Sequence, residues 1–564
     1  MAISIIASDV RHTVTLDLPP YAGQITVSRR GSIAPVGVQA DGVYAAAPGA
    51  GVVNFGTISG SGSPTASFEG GDGINFETSS GTVINFGTVI GGGDGGAGVS
   101  FGGTLNNRGV INGGAGGQYW AGGVGVDITD GGLLDNGGTI SGGTGGANSP
   151  DHARYGGDGA IMSNGFVFNR GTISGGTVGA GTGFIGGDGA ELLHGIFIND
   201  GTVRGGSGNV GPVEGNFGGT GVDILDGYVA NAGSIAGGAG GANYHGGFGA
   251  VVKGGTLTNS GVISGGAGGP AGGARGIGVY LEGGTVKNAG TISGGVGIGS
   301  EYALRSSSVA STLIIEPGAV FKGLVFGNGE NDTLELASAA ASGTISGLGS
   351  QFAGFAITDL SAGADWVLPG DNTIGGAAVI GGTLFVAGGT LDLKGVAGGS
   401  GNITLGAGAT LVVRASTDVA DISFAAGAAD QFRVDTTSLP KSEMIGFGAG
   451  DTIDLEQSRV QTVSFVNGTL TLDNALGNII GSLSFLGSYD SANFTLTADG
   501  HGGTDIGFTS PVAALAGELQ DLLTGSSAMP STTPPTLAGA VLRPDFPMNL
   551  SPATLLLAKP GGLS

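Results

Sequence analysis

The 564-residue chain has no cysteine, so neither disulfide staples nor thiol chemistry is open to it, and any stability must come from packing and hydrogen bonding. Charge is also scarce. Only 11% of residues are charged, and 19 Lys and Arg stand against 43 Asp and Glu, for a net charge of −24. Nucleic acid binding requires a basic footprint, and an anionic membrane surface requires the same, so no nucleic acid partner is expected. No apolar run approaches the roughly 18 residues of a membrane-spanning helix, so no transmembrane segment is expected either. The opening MAISIIASDVRHTVTLDLPPYAG has no basic leader, long apolar stretch or small-residue cleavage site, and a cleavable signal peptide is therefore not expected there. Between residues 40 and 300 no stretch sustains the 3.6-residue period of a helix.

What the chain has in abundance is glycine, 127 residues of 564, concentrated in the first half. Collagen would need glycine at every third position, and runs such as GVVNFGTIS break that register. Disorder is opposed by Val and Ile recurring at fixed offsets from a repeated Asn. The phrase is Asn-x-Gly-[Thr/Ser/Val]-[Ile/Val], and it begins at Asn54, Asn85, Asn107, Asn136, Asn169, Asn199, Asn231, Asn259 and Asn288. Its mean step is about 29 residues, inside the range that marks solenoids and arrays.

Each unit reads as two strand-forming stretches around a tight turn, followed by a glycine-rich loop, as in GVGVDI then GLLDNGGTISGG. One such coil cannot bury its own apolar face, whereas stacked coils can. Stacking predicts one interior column of Ile58, Val89, Ile111, Ile140, Ile173, Val203, Ile235, Ile263 and Ile292. The expected fold is all-β, a right-handed parallel β-helix, with handedness following the usual crossover preference. The nine Asn are expected to form a structural ladder. Each would sit at a sharp bend, where Asn tolerates left-handed backbone angles, and its amide would bond to the next coil or to the turn.

Residues 1–40 read as an N-terminal cap, 41–310 as the glycine-rich coils, and 311–510 as a second, less regular β-solenoid with Thr-Leu strands such as GTLFV and GTLDL. Residues 511–564 read as a short helix and a disordered proline-rich tail. The glycine-rich loops carry Tyr119, Trp120, His152, Tyr155, Phe184, Phe217, Tyr244 and His245. Of these, Tyr119, Trp120, Tyr155 and Tyr244 are the candidate surface-binding residues. Such rings stack on sugars or meet a partner, or else fold back over the coil.

The VFNRGTISGGTVGAG and LTNSGVISGGAGG units resemble the passenger regions of bacterial autotransporters and related large exoproteins, and GGTLFVAGGTLDLKG resembles the short strand repeat of such passengers. The resemblance covers roughly residues 50–510. Neither the signal peptide nor the terminal membrane barrel of that family is expected from this sequence, and GFGAGDTIDL with ADGHGGTDIGF is similar instead to the terminal regions of proteins exported by one-step type I systems. The resemblance implies an extracellular or bacterial cell-surface protein with a structural or adhesive role, self-associating or bound to a glycan or another cell-surface partner. It also implies an export signal in 511–564.

Chemistry is harder to find. Calcium is the one cofactor with candidate sites, at Asp332 in FGNGENDTLEL and Asp451 in FGAGDTIDL, approximate copies of a calcium-binding repeat that otherwise reads as an acidic turn. Ser100 lies in a GxSxG match with no helix to follow it. Asp127, Asp130, Asp223 and Asp226 recur in GVDITDGG and GVDILDGY, but three coils apart, too far to flank one glycosidic bond. No catalytic residue is therefore assigned. A polysaccharide lyase or glycoside hydrolase on a β-helix scaffold is the alternative reading. The Thr beside each buried Ile form an outward column interrupted by Val110 and Val262, which β-propensity explains.

Overall fold

The structure is a computed structural model that describes residues 3–510, apart from 63–68, 77–80, 118–119, 130, 147–154, 180–183, 210–215, 295, 299–308, 329–330 and 428. Tyr119, His152, Asp130 and the expected tail at 511–564 lie outside the described residues. Residues 1–510 form one compact unit. Among the described residues there is no α-helix, and Ser491–Asn493 make a single 3-10 turn. No helix there is long and apolar enough to cross a membrane.

The chain winds as a parallel β-helix with three faces. The first face holds the strands that end in the repeated Asn, such as Gly51–Asn54, Thr82–Asn85 and Thr104–Asn107, paired parallel and in register with Asn opposite Asn. A two-residue corner leads to the second face, Thr57–Ser59, Thr88–Ile90 and their successors. After the glycine-rich loop comes the third face, Ile74–Phe76, Val99–Phe101, Val126–Ile128 and onward. Because side chains alternate along a strand, the central residue of each second-face strand points inward. The column from Ile58 through Val89, Ile111 and Ile140 to Ile292 is fully buried, as stacking requires. Full burial of each such side chain stabilises by about 1.5–3 kcal/mol relative to exposure.

The coil starts earlier than the repeated phrase. Ile3–Ile6 pairs with Gln24–Val27, and that strand with Gly51–Asn54, all parallel. Residues 1–40, expected as a cap, therefore contribute coils of the same three faces, because ISII and QITV alternate as the later strands do. Nor is there a break at 310. Gly284–Asn288 pairs with Ser311–Ile315, which pairs with Thr333–Leu336. What changes is chemistry: Val27 precedes the Asn column and Ile315 follows it, so the ladder has apolar ends. The coils then shorten, with Ile357 opposite Ala377 and Leu391 opposite Leu411.

The C-terminal end departs from the expected continuous solenoid. From Thr462 the strands pair antiparallel with one another, Thr462–Val466 with Thr469–Asp473 and that with Ile479–Leu486, while Ile479–Leu486 keeps a parallel pairing to Glu443–Ile445. Thr504–Phe508 runs antiparallel to both Thr452–Leu455 and Phe494–Ala498. Phe447, Phe465, Phe485, Tyr489, Phe494 and Phe508 pack ring against ring over the last coil. An open end would leave the interior column in water, and these rings close it.

The glycines have a specific place. Gly143, Gly157, Gly176, Gly187, Gly206 and Gly219 are joined one to the next by backbone N–H to carbonyl bonds of 2.7–2.9 Å, in a layer that extends each coil beyond its three strands. Backbones approach so closely that a Cβ on Gly206 would overlap the carbonyl oxygen of Gly176, and one on Gly176 that of Gly143. The loop glycines thus form a packed backbone layer that no side chain can enter.

Candidate functional site

The Asn ladder is continuous. Each Nδ2 donates to the Oδ1 of the next Asn, from Asn54 through Asn85, Asn107, Asn136, Asn169, Asn199, Asn231 and Asn259 to Asn288, at 2.7–2.9 Å. Each of these Nδ2 groups also donates to a carbonyl of the neighbouring coil, as Asn199 does to Ser234 at 3.3 Å. All nine are at most 2% exposed. The backbone expectation was mistaken. Among the described residues the non-glycine positive φ angles belong to Asp17, Gln39, Asp94, Ala242 and Asn467, and the nine Asn are ordinary strand ends. Asn is needed for an amide that donates and accepts along the column, and the turn is made by the residues after it.

The two calcium candidates hold turns. Asp332 is 1% exposed, and its carboxylate accepts the backbone N–H of Ser311 and of Asn328 at 3.1 and 3.0 Å. Asp451 accepts those of Asp430 and Gly448 at 3.1 and 2.8 Å. Both oxygens of each carboxylate are thus engaged by backbone, and among the described residues no three His, Cys, Asp or Glu side chains are grouped as metal ligands. Ser100 lies mid-strand on the third face, with no helix after it.

The aromatic candidates divide. Trp120 is folded onto the coil, with a buried indole N–H that has no partner among the described residues. Tyr155 is 40% exposed and meets Phe184 edge to face at 5.2 Å. Tyr244 is half-buried and backs Phe217 edge to face at 5.0 Å. Phe217 and His245 stack at 6.1 Å, and Phe248 stacks on Tyr280 at 5.4 Å. Between these rings lies a groove of about 420 Å³, walled by Ile185, Phe217, His245, Phe248, Arg275 and Ile277. Its floor is Gly218, Gly246, Gly247 and Gly276, the edge of the glycine layer. A floor without side chains between aromatic walls leaves room for a flat ring to lie against them. Sequence reading missed Phe248, Ile277 and Arg275. The available signal was the variable residue in Gly-x-Gly, which is Asp158 and Asp188 in earlier coils, then Thr220, Phe248 and Ile277.

That same column joins the groove to a group of carboxylates. Thr220 lines the groove, and its N–H donates to Asp188 Oδ1 at 2.7 Å; the Asp188 N–H donates to Asp158 Oδ1 at 2.6 Å. Glu191 and Asp223 are register partners on the third face, and Lys253 Nζ lies 2.7 Å from Asp223 Oδ2. Asp223 Oδ1 is buried without a partner among the described residues. Loss of hydration raises the Asp188 carboxyl to about 8, with repulsion from Asp158 adding to it and the Thr220 N–H opposing. Burial likewise raises Asp158 to about 6. Burial works against the Lys253 charge, but its bond to Asp223 and the charge of that carboxylate outweigh this and raise it. Asp127 and Asp223 are three coils apart, through Ile161 and Glu191, so the acid that accompanies Asp223 is Glu191.

A second recess of about 570 Å³ lies at the C-terminal end against Arg459 and Gly500. Asp499 there already accepts the N–H groups of His501, Gly502 and Gly503. Of the two, the aromatic groove is the better-formed site for an organic ligand, because its walls offer ring faces. No family model, curated protein or solved structure matches this chain.

Proposed function

We propose that this chain is a secreted or cell-surface β-helical scaffold with an adhesive role, which binds a glycan in the groove between Phe217, His245 and Phe248. The single observation that supports the reading is the groove itself: half-buried aromatic rings beside a bare glycine floor match the flat, C–H-rich face of a sugar. The autotransporter-like and exoprotein-like repeats supply the setting, and export by a type I route directed by residues 511–564 belongs to the same reading. Binding of the purified chain to immobilised glycans, lost in Phe248→Ala with the fold intact by circular dichroism, tests it. Retention of all glycan binding in that variant would refute the groove. Localisation is tested separately by fractionating the native host, and a chain confined to the cytoplasm would refute the surface role.

The second reading, a glycan-cleaving enzyme, is favoured by one observation. Asp188, whose carboxyl burial pushes up to about 8, lies beside Glu191 and Asp223, and a group of neighbouring carboxyls is what acid-base cleavage of a glycosidic bond uses. Release of new reducing ends that disappears in Asp223→Asn would replace the adhesive reading with this one. Binding without turnover retains the first.

A further inference from the structure

Arg275 stands on the groove wall with its side chain exposed, and among the described residues it has neither an ion-pair nor a hydrogen-bond partner. The guanidiniums of Arg108, Arg170, Arg414 and Arg433 are engaged by nearby carboxylates, whereas those of Arg11, Arg29, Arg30 and Arg204, like that of Arg275, have no ion pair among the described residues, and none of these four lines the groove. Arg275 instead faces the same space as the rings of Phe217 and Phe248. We propose that the groove takes a glycan whose sugars carry carboxylates, with a sugar face against Phe248 or Phe217 and the sugar carboxylate received by the Arg275 guanidinium.

A guanidinium offers two parallel N–H donors to one carboxylate, a geometry that sugar hydroxyls do not match. Asp188, the nearest acid along the column, opposes this little, because its Oδ1 accepts the Thr220 N–H and burial pushes its carboxyl up to about 8. The net charge of −24 is spread along the chain, and at physiological salt it is screened beyond about 8 Å, so the local cation decides.

The inference rests on the glycan-binding reading of the groove, and the test separates the two. The full chain is titrated with a uronic acid oligosaccharide, with the same oligosaccharide after reduction of its carboxyls to alcohols, and with a sulfated neutral oligosaccharide. The uronate form should bind about ten-fold more tightly than its reduced counterpart, the scale of one charge-assisted contact. Arg275→Gln should abolish that difference, bringing the uronate form's affinity to that of its reduced counterpart. Phe248→Ala should weaken both, and thermal melting checks that each variant is folded. Equal binding of the uronate and reduced forms, or a preference that survives Arg275→Gln, overturns the role of Arg275 while leaving the groove a glycan site. Tighter binding of the sulfated form overturns the choice of carboxylate. Failure of all three to bind overturns the groove reading together with this one.

Discussion

Replacing Asn199 by Ala cuts the amide column in its interior, and the consequences follow atom by atom. Asn199 Nδ2 donates to Asn231 Oδ1 at 2.7 Å and to the Ser234 carbonyl at 3.3 Å, and its Oδ1 accepts from Asn169 Nδ2 at 2.7 Å. In the Ala variant Asn231 Oδ1 loses that donor at a position 2% exposed, and no water replaces it without opening the coil. An unsatisfied buried acceptor costs about 1–3 kcal/mol. Asn169 Nδ2 loses its side-chain acceptor but keeps the Thr202 carbonyl at 3.3 Å, so its share is smaller. The total is about 2–4 kcal/mol. Asn288→Ala, at the ladder's end, removes the side-chain acceptor of Asn259 Nδ2 and of the Gly290 N–H, but Asn259 retains the Thr291 carbonyl at 3.5 Å and Gly290 the Asn259 carbonyl at 3.1 Å. Its cost should be about half, near 1–2 kcal/mol. Asp200→Ala, exposed beside Asn199, should lie within about 0.5 kcal/mol of wild type. The assay is urea denaturation of each variant, together with the Asn199→Ala, Asn231→Ala double variant. That double variant should cost less than the sum of its parts by about 1 kcal/mol or more, because each single change strands a group that the other removes. Strict additivity, or an Asn199 cost no larger than that of Asp200, would refute the ladder as a stabilising element.

Three further outcomes follow from other parts of the molecule. Gly206→Ala drives a methyl into the Gly176 carbonyl and should cost about 1–3 kcal/mol or more, whereas Gly375→Ala, with open space around it, should be neutral or slightly stabilising; equal melting shifts for the two would refute the glycine layer. The carboxyls of Asp188, Asp158 and Asp72 are raised by burial to about 8, 6 and 7, above their unfolded values, so their contribution is fully present below the ordinary carboxylate range and is lost as pH rises through the folded values. The melting temperature should therefore climb as pH falls from 8 to 5, and Asp188→Asn should flatten part of that slope; a melting temperature that falls over this range would contradict the assignment. Trp366 is 2% exposed and donates its indole N–H to the Ala337 carbonyl at 2.9 Å. Trp366→Phe should cost about 1–3 kcal/mol by denaturation and remove a blue-shifted emission component, and an unshifted spectrum would place this ring in water.

Much of the architecture follows from the sequence alone, because a strand has a period of two and a stacked coil must bury one face. Asn199 and Val203 have counterparts at the same offset in every coil of the repeat, so both the amide column and the buried aliphatic column are set by the sequence. The scarcity of charge and the lack of cysteine likewise require a fold held by packing and backbone bonds.

The groove is different. Phe217, Phe248 and Arg275 lie in three successive coils, separated by loops of unequal length, and only the registry of stacked backbones brings them round one space. The approach of Glu191 to Asp223 has the same origin, since the repeated phrase marks Asp127 and Asp223 as look-alikes three coils apart and only the strand register makes Glu191 the neighbour of Asp223. The glycine layer was hidden because a glycine-rich loop and a close-packed backbone share one composition, and only the contact of Gly206 with Gly176 distinguishes them. The turn to antiparallel pairing at Thr462 is equally a matter of what lies beside the last coil: the sequence of Thr462–Val466 alternates like that of earlier strands, but none of its residues is buried, and it pairs with Thr469–Asp473 beside the covered end of the core.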